Sequence, residues 1–197
     1  MFVNNVNDDT KIMVKQIHIV GRKNSGKTTL ITEVVSHLTD LGYRVGTIKH
    51  THHRHGIDTT GKDSYRHREA GAAVVGILSA TTSGVFQPVK RHDRSTGNYG
   101  RILPMFSEYD LVLVEGDLAA DAPKLEVWRA ANNTGLLAAK DPSIIAVVTD
   151  DPLELAAPLL SRSDVAGLAQ FLLRLATGDA CKRRADSTVE IQIENVR

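Results

Sequence analysis

Short apolar runs of strand length alternate along the chain with stretches that suit helices. Ile17 to Val20 is the first run, and Thr28 to Leu41 is the first helix-compatible stretch, with Gly42 as its natural stop. Arg44 to Ile48 reads as a second strand and Asp63 to Ala70 as a short helix ending near Gly71. Ala73 to Leu78 and Gly84 to Val89 read as two further strands. Asp110-Leu-Val-Leu-Val-Glu115 has the composition of a strongly buried strand, and Leu125 to Arg129 and Ile144 to Thr149 follow as two more. Val165 to Ala176 is an amphipathic closing helix before Gly178. Near-continuous Val, Ile and Leu strands between helices predict an α/β fold, a three-layer sandwich whose mostly parallel sheet is covered on both faces.

The ends and one internal stretch read differently. Residues 1–12 are polar and are expected to be flexible, residues 13–178 form the domain, and residues 179–197 form a tail. In that tail Val189, Ile191 and Ile193 alternate with Glu190, Gln192 and Glu194, a period-two pattern. Such a strand could join the sheet edge or pair with another chain. The basic run Lys182-Arg-Arg184 reads as solvated surface. Val89 to Gly100 is charged, weakly periodic and punctuated by Gly and Ser, which predicts an exposed loop.

Composition narrows the class. A chain of 197 residues is large enough for one domain with a real core, and its hydrophobic share of 42% is ordinary for a globular protein. A net charge of +1 gives no general attraction to nucleic acid or to an anionic membrane. The single cysteine, Cys181, rules out an intramolecular disulfide framework and suits a reducing compartment. The N-terminal residues lack a signal peptide's apolar stretch, and no apolar run reaches the roughly 18 residues of a membrane span. The expectation is a cytoplasmic protein.

The strongest chemical signal is Gly21-Arg-Lys-Asn-Ser-Gly-Lys-Thr-Thr29. It matches the phosphate-binding loop G-x-x-x-x-G-K-[ST], with a strand before it and a helix after it, as that motif requires. This makes the fold P-loop NTPase-like. Gly21 and Gly26 allow backbone N–H groups to approach phosphate oxygens, and the helix that starts there turns its positive end toward the anion. Arg22, Lys23, Asn24, Ser25 and Thr29 complete the loop. Lys27 is positioned to reach the β- and γ-phosphates, and the Thr28 hydroxyl to bind Mg²⁺.

A nucleotide–metal site also needs carboxylates. Asp110 and Glu115 bracket one strand and lie about 16 Å apart along it, so only one of them can serve. Ligands of parallel sheets bind at the carboxyl ends of strands, which selects Glu115 and leaves Asp110 at the strand's start. A second dense region runs from Lys49-His50 through His52, His53 and His55 to Arg66 and Arg68, with Asp58 and Asp63 embedded. It begins at the carboxyl end of its strand, where switch-type loops sense a γ-phosphate. Its basic side chains can neutralise phosphate, and Asp58 or Asp63 can join the metal shell or orient a water. The histidines also permit a transition-metal site. For base recognition the usual Asn-Lys-x-Asp is absent. Asp150 could accept from a guanine edge, or it could cap a helix starting at Pro152.

Together the loop, Thr47-Ile-Lys-His50 with His52-His53, and Gly61-Lys-Asp-Ser-Tyr-Arg-His-Arg-Glu-Ala-Gly-Ala72 resemble the molybdopterin-guanine dinucleotide biosynthesis adaptor (MobB) family. Val114-Glu-Gly116, Pro123-Lys-Leu-Glu-Val127 and Arg129 are similar to its later motifs, and the resemblance spans about Ile17 to Asp150. It implies a P-loop GTPase-like fold, GTP and Mg²⁺ binding, weak hydrolysis and a homodimer. It also implies work beside the guanylyltransferase that joins GMP to molybdopterin. By the same resemblance Gly21 through Thr29 contact the nucleotide and metal, and Glu115 faces the metal. The segment from His50 to Arg68 forms a switch-like wall that could touch the phosphate of molybdopterin or meet a molybdopterin-carrying protein. The chain departs from the family where an aromatic commonly follows Glu-Gly, because Asp117 stands there, and any stacking role at that position is in doubt. Two other readings stay open: a metal-delivery GTPase, from the histidines, and a small-molecule kinase with Arg91, Arg94 and Arg101 as a lid.

Overall fold

The computed structural model describes residues 16–51, 61–87 and 99–177. The expected strand of the tail, Cys181 and Asp58 lie outside these residues. So do His52, His53 and His55, on which the transition-metal reading falls.

Six parallel strands form the sheet: β1 (Gln16–Val20), β2 (Val45–Lys49), β5 (Leu111–Glu115), β6 (Lys124–Val127), β7 (Ile144–Val148) and the two-residue β8 (Leu159–Leu160). Their order is β2-β5-β1-β6-β7-β8. The order reverses beside β1, which puts the crevice of a doubly wound sheet at the carboxyl end of β1. The two strands expected at Ala73–Leu78 and Gly84–Val89 are β3 (Val75–Leu78) and β4 (Ser83–Phe86). They pair only with each other, as an antiparallel hairpin. Its turn is held by Ser79, whose N–H donates to Thr82 O at 2.8 Å and whose hydroxyl accepts the Thr82 N–H at 2.9 Å.

One face of the sheet carries two helices, α1 (Lys27–Asp40) and α4 (Val165–Thr177). Each buries a stripe at helical spacing: Leu30, Ile31, Val34 and Leu38 from α1, and Leu168, Ala169, Leu172 and Ala176 from α4. They close over Ile17, Ile19, Leu113, Leu125 and Val148. Each large aliphatic side chain buried there stabilises the fold by about 1.5–3 kcal/mol relative to exposure.

The opposite face is covered more thinly. A four-residue helix, α3 (Tyr99–Ile102), and a 3₁₀ turn, Leu103–Phe106, pack over Val112 and Val114. The Phe106 ring occupies the space a side chain at position 46 would need, so Gly46 is required on β2. The exposed loop expected over Val89 to Gly100 therefore ends in a helix, with Tyr99 buried. Residues 88–98 lie outside those described.

β6 does not follow the expected apolar pattern. Lys124 and Glu126 are buried along with Leu125 and Val127. Both polar groups are satisfied there. Glu126 accepts the Leu137 and Ala138 N–H groups at 2.9 and 2.8 Å, and Lys124 donates to Ser143 Oγ at 2.7 Å. A buried carboxylate so bonded escapes most of the cost of desolvation, and it fastens the 129–143 segment to the sheet. Among the described residues no helix is long and apolar enough to cross a membrane.

Candidate functional site

The turn from β1 to α1 contains the glycine-rich loop, and its conformation accounts for its residues. Gly21 has φ +146°, and a Cβ there would lie 2.5 Å from Val127 O and 2.7 Å from Ser25 Oγ. Close packing against the end of β6 thus demands glycine. Gly26 meets no such crowding, but its φ of +95° makes it the left-handed N-cap of α1. Asn24, at φ +63°, adds a third left-handed residue to the loop. No side chain caps α1, and its first turn holds no acidic residue. Its leading N–H groups and positive dipole end are thus arranged to receive an anion.

The charged groups expected at this loop stand around it. Lys27 curls back and donates to Gly21 O at 3.0 Å and Arg22 O at 2.8 Å. Burial lowers its pKa, with the Glu115 carboxylate acting in the opposite direction. Arg22 and Lys23 are exposed on the loop, Ser25 is buried within it, and Thr28 and Thr29 open the helix. Thr28 Oγ1 donates to Glu115 Oε1 at 2.8 Å. This hydroxyl–carboxylate pair is an all-oxygen donor set of the kind Mg²⁺ takes, so the residues fit the metal. Asp110 sits at the other end of β5, where its carboxylate accepts the Arg44 N–H at 2.7 Å. Of the two carboxylates, Glu115 is the one that stands beside the loop.

Lys49 lies beside Glu115 in the parallel register of β2 and β5, and the His50 N–H donates to Glu115 O at 3.0 Å. Both therefore lie at the carboxyl end of β2, next to Glu115. Arg66 lies on α2 (Asp63–Glu69), a helix with no buried residue, and its guanidinium is 3.9 Å from Asp63. A cleft of about 390 Å³ runs from Thr28 and Glu115 between α1 and β2, with Ile31, Val35 and Ile48 among its walls.

On the other side of β1 a pocket of about 360 Å³ lies between Gly26, Thr29, Trp128, Asp150 and Arg162. No helix begins at Pro152, so the helix-cap reading of Asp150 falls away. The Asp150 carboxylate instead accepts the Ser161 hydroxyl at 2.8 Å and the Ser163 N–H at 3.1 Å. These bonds hold its carboxyl below the usual range. Arg162 pairs with Glu33 of α1 at 2.7 Å, which ties this turn to the phosphate-loop helix. Asp151 Oδ2 accepts the Ala130 N–H at 2.7 Å. The turn after β8 escaped the sequence reading, and a two-residue strand carries too little pattern to reveal it. Of the arginines considered as a lid, Arg101 is exposed on α3, and Arg91 and Arg94 lie outside the described residues.

Asp117, the departure noted in the sequence, has a defined place. Its Oδ2 accepts the Tyr99 hydroxyl at 2.8 Å and lies 3.9 Å from His50 Nε2. No part of the sequence reading had assigned Tyr99 to the site.

Known proteins share the sequence and the fold of this chain. The chain is 34% identical over 164 residues to the molybdopterin-guanine dinucleotide biosynthesis adapter protein of Escherichia coli, covering 83% of this chain and 94% of that one. It is 35% identical over 158 residues to the protein of the same name from Haemophilus influenzae, covering 78% and 85%. Among solved structures, a molybdopterin-guanine biosynthesis protein B matches with a TM-score of 0.61 at 29% identity, covering 82% of this chain and 99% of that one. A MobB homologue from Bacillus stearothermophilus matches with a TM-score of 0.56 at 27% identity, covering 83% and 98%. The family model for molybdopterin guanine dinucleotide synthesis protein B matches residues 16–150, most of the chain, and the chain belongs to that family.

Proposed function

We propose that this protein binds GTP with Mg²⁺ and acts as an adapter in the conversion of molybdopterin to molybdopterin guanine dinucleotide. Hydrolysis of GTP would be slow and secondary. The observation that carries the nucleotide reading is the loop Gly21–Thr29 at an uncapped helix start, with the Thr28 hydroxyl and the Glu115 carboxylate in contact beside it. Thr28 and Glu115 would hold the metal, whose charge would offset that of the β- and γ-phosphates. Lys27 would leave its loop carbonyls for those phosphates, and Asp58 would join the metal shell or direct a water. Lys49 supplies positive charge beside Glu115, and Arg66 would add to it from α2.

The pocket at Asp150 suits the base. It lies across β1 from Thr28 and Glu115, so phosphates on the loop would stand between the metal end and the base end of one nucleotide. The Asp150 carboxylate, steadied by Ser161 and Ser163, would accept from the guanine N–H edge. The adapter role rests on the names of the relatives. It implies the molybdenum cofactor guanylyltransferase as partner, with molybdopterin or a molybdopterin-carrying protein approaching the His50–Arg68 side. The exposed β3–β4 hairpin supports a homodimer.

Parallel calorimetric titrations with GTP and ATP in Mg²⁺, with Lys27→Ala as control, test the reading. Preference for GTP that Lys27→Ala abolishes is expected. Preference for ATP, or no binding of either, would sink it.

A further inference from the structure

Immediately after Glu115 the chain makes two successive left-handed residues, Gly116 at φ +92° and Asp117 at φ +59°. Glycine suits the first, since a Cβ there would lie 3.3 Å from His50 O. Asp117 carries a Cβ; aspartate tolerates this conformation better than most residues, and its surroundings hold it there. Three contacts do so. The Gly116 N–H donates to Ile19 O at 2.9 Å. The fully buried His18 donates from Nδ1 to Gly116 O at 3.1 Å. Tyr99 donates its hydroxyl to Asp117 Oδ2 at 2.8 Å.

The third contact comes from outside the sheet. Tyr99 lies on α3, is 8% exposed and packs with Val112, Val114 and Ala120. The His18 ring meets it edge-on at 5.4 Å between centroids, which fixes the phenol from a second side. Burial, and then the Asp117 carboxylate, raise the phenol's pKa, in keeping with a hydroxyl that donates to that carboxylate. A hydroxyl that donates to a carboxylate is among the stronger hydrogen bonds.

We propose that Tyr99 is a positioning residue for the metal arm of the site. By holding Asp117 it fixes the left-handed turn that leaves β5, and so the direction in which Glu115 presents its carboxylate to Thr28 and to a divalent cation. The proposal rests on the GTP–Mg²⁺ reading above. It adds a residue from a separate element, 18 positions from its partner in the chain.

The test measures GTP affinity in Mg²⁺ and again in EDTA, and takes their ratio as the metal's contribution. Tyr99→Phe keeps the ring and its packing but removes the donor. It should lower the ratio roughly tenfold, the worth of one charge-assisted hydrogen bond, and leave affinity in EDTA unchanged. Asp117→Ala should do the same, while Asp117→Asn, which keeps an accepting oxygen, should retain most of the ratio. If Tyr99→Phe does not fold, the contrast between the two Asp117 variants carries the test. An unchanged ratio in Tyr99→Phe, or equal losses with and without metal, would overturn the proposal while Lys27-dependent GTP binding stands. Wild-type protein that binds no GTP, or gains nothing from Mg²⁺, would overturn the parent reading and this one with it.

Discussion

Thr28 Oγ1 and Glu115 Oε1 meet at 2.8 Å across 87 residues of sequence. The contact joins the first turn of α1 to the end of β5. It makes these two side chains the pair through which a metal would act, because both oxygens already point into one space. Thr28→Val is close in shape and removes only the hydroxyl. It should abolish most of the Mg²⁺ enhancement of GTP binding, a loss of about ten- to a hundredfold, while thermal stability changes little at this exposed position. Calorimetry with Mg²⁺ and with EDTA checks this. A Thr28→Val protein with undiminished enhancement would place the metal elsewhere.

Lys27 separates binding from stability. Its pKa is lowered because burial disfavours the ammonium, partly countered by Glu115. The unfolded side chain titrates near about 10.4. Between the folded and unfolded values the unfolded chain binds more protons, so stability rises with pH across that window, and below it the ammonium is a net cost. Lys27→Met should therefore lose GTP affinity by more than about a hundredfold with no fall in Tm at pH 7. A Tm several degrees below wild type would show that the bonds to Gly21 O and Arg22 O matter more than burial of the charge.

His18 gives the fold an acid-sensitive point. Burial lowers its pKa, and the carbonyl of Gly116 and the Asp117 carboxylate only partly oppose that. Above about pH 6.5 the residue is neutral both folded and unfolded and contributes nothing to pH dependence. As pH falls below that value the unfolded chain takes up a proton that the folded one refuses. Stability is then lost down to the folded pKa, by up to about 1.4 kcal/mol per pH unit. His18→Asn keeps a donor near Gly116 O and does not titrate. Its Tm should fall less than that of wild type between pH 7.5 and pH 5.5, although it starts lower. Parallel Tm–pH curves would remove His18 as the cause.

The β3–β4 hairpin presents Leu78, 87% exposed, and Val85, 57% exposed, on one face, with Gly76 and Ser83 as their small cross-strand partners. An isolated two-stranded hairpin is marginal in water, and a second copy laid on this flat apolar face would support it. Sedimentation equilibrium of the wild-type chain at micromolar concentration should give the mass of a dimer, and Leu78→Ser with Val85→Thr should shift it toward the monomer. A monomeric wild-type chain would end the homodimer reading.

The site was legible where its information is local. The loop Gly21–Thr29 is contiguous, and its glycines and its place between strand and helix can be read whatever else surrounds them. Glu115 was legible one step further on, because ligands gather at the carboxyl ends of parallel strands and Asp110 stands at the wrong end. Tyr99 was not. It follows a stretch of weak period, and nothing nearby in the chain marks its hydroxyl as the partner of Asp117. The buried Lys124 and Glu126 were hidden for a related reason, since charged residues on a strand look solvent-facing until the backbone N–H groups and the hydroxyl that satisfy them are folded over. The hairpin was read as two strands, but its separation from the main sheet depends on which edges are already paired.

The sequence by itself determined the α/β class, the strand–loop–helix with its glycine-rich turn and the strand end at which Glu115 stands, because short-range pattern and backbone conformation decide those. The tertiary structure decided which residues meet across the sheet: Thr28 with Glu115, Asp150 with Ser161, and Tyr99 with Asp117. Such contacts depend on strand order and on the packing of separate elements. A periodicity of two or 3.6 residues carries no record of which distant residue closes them.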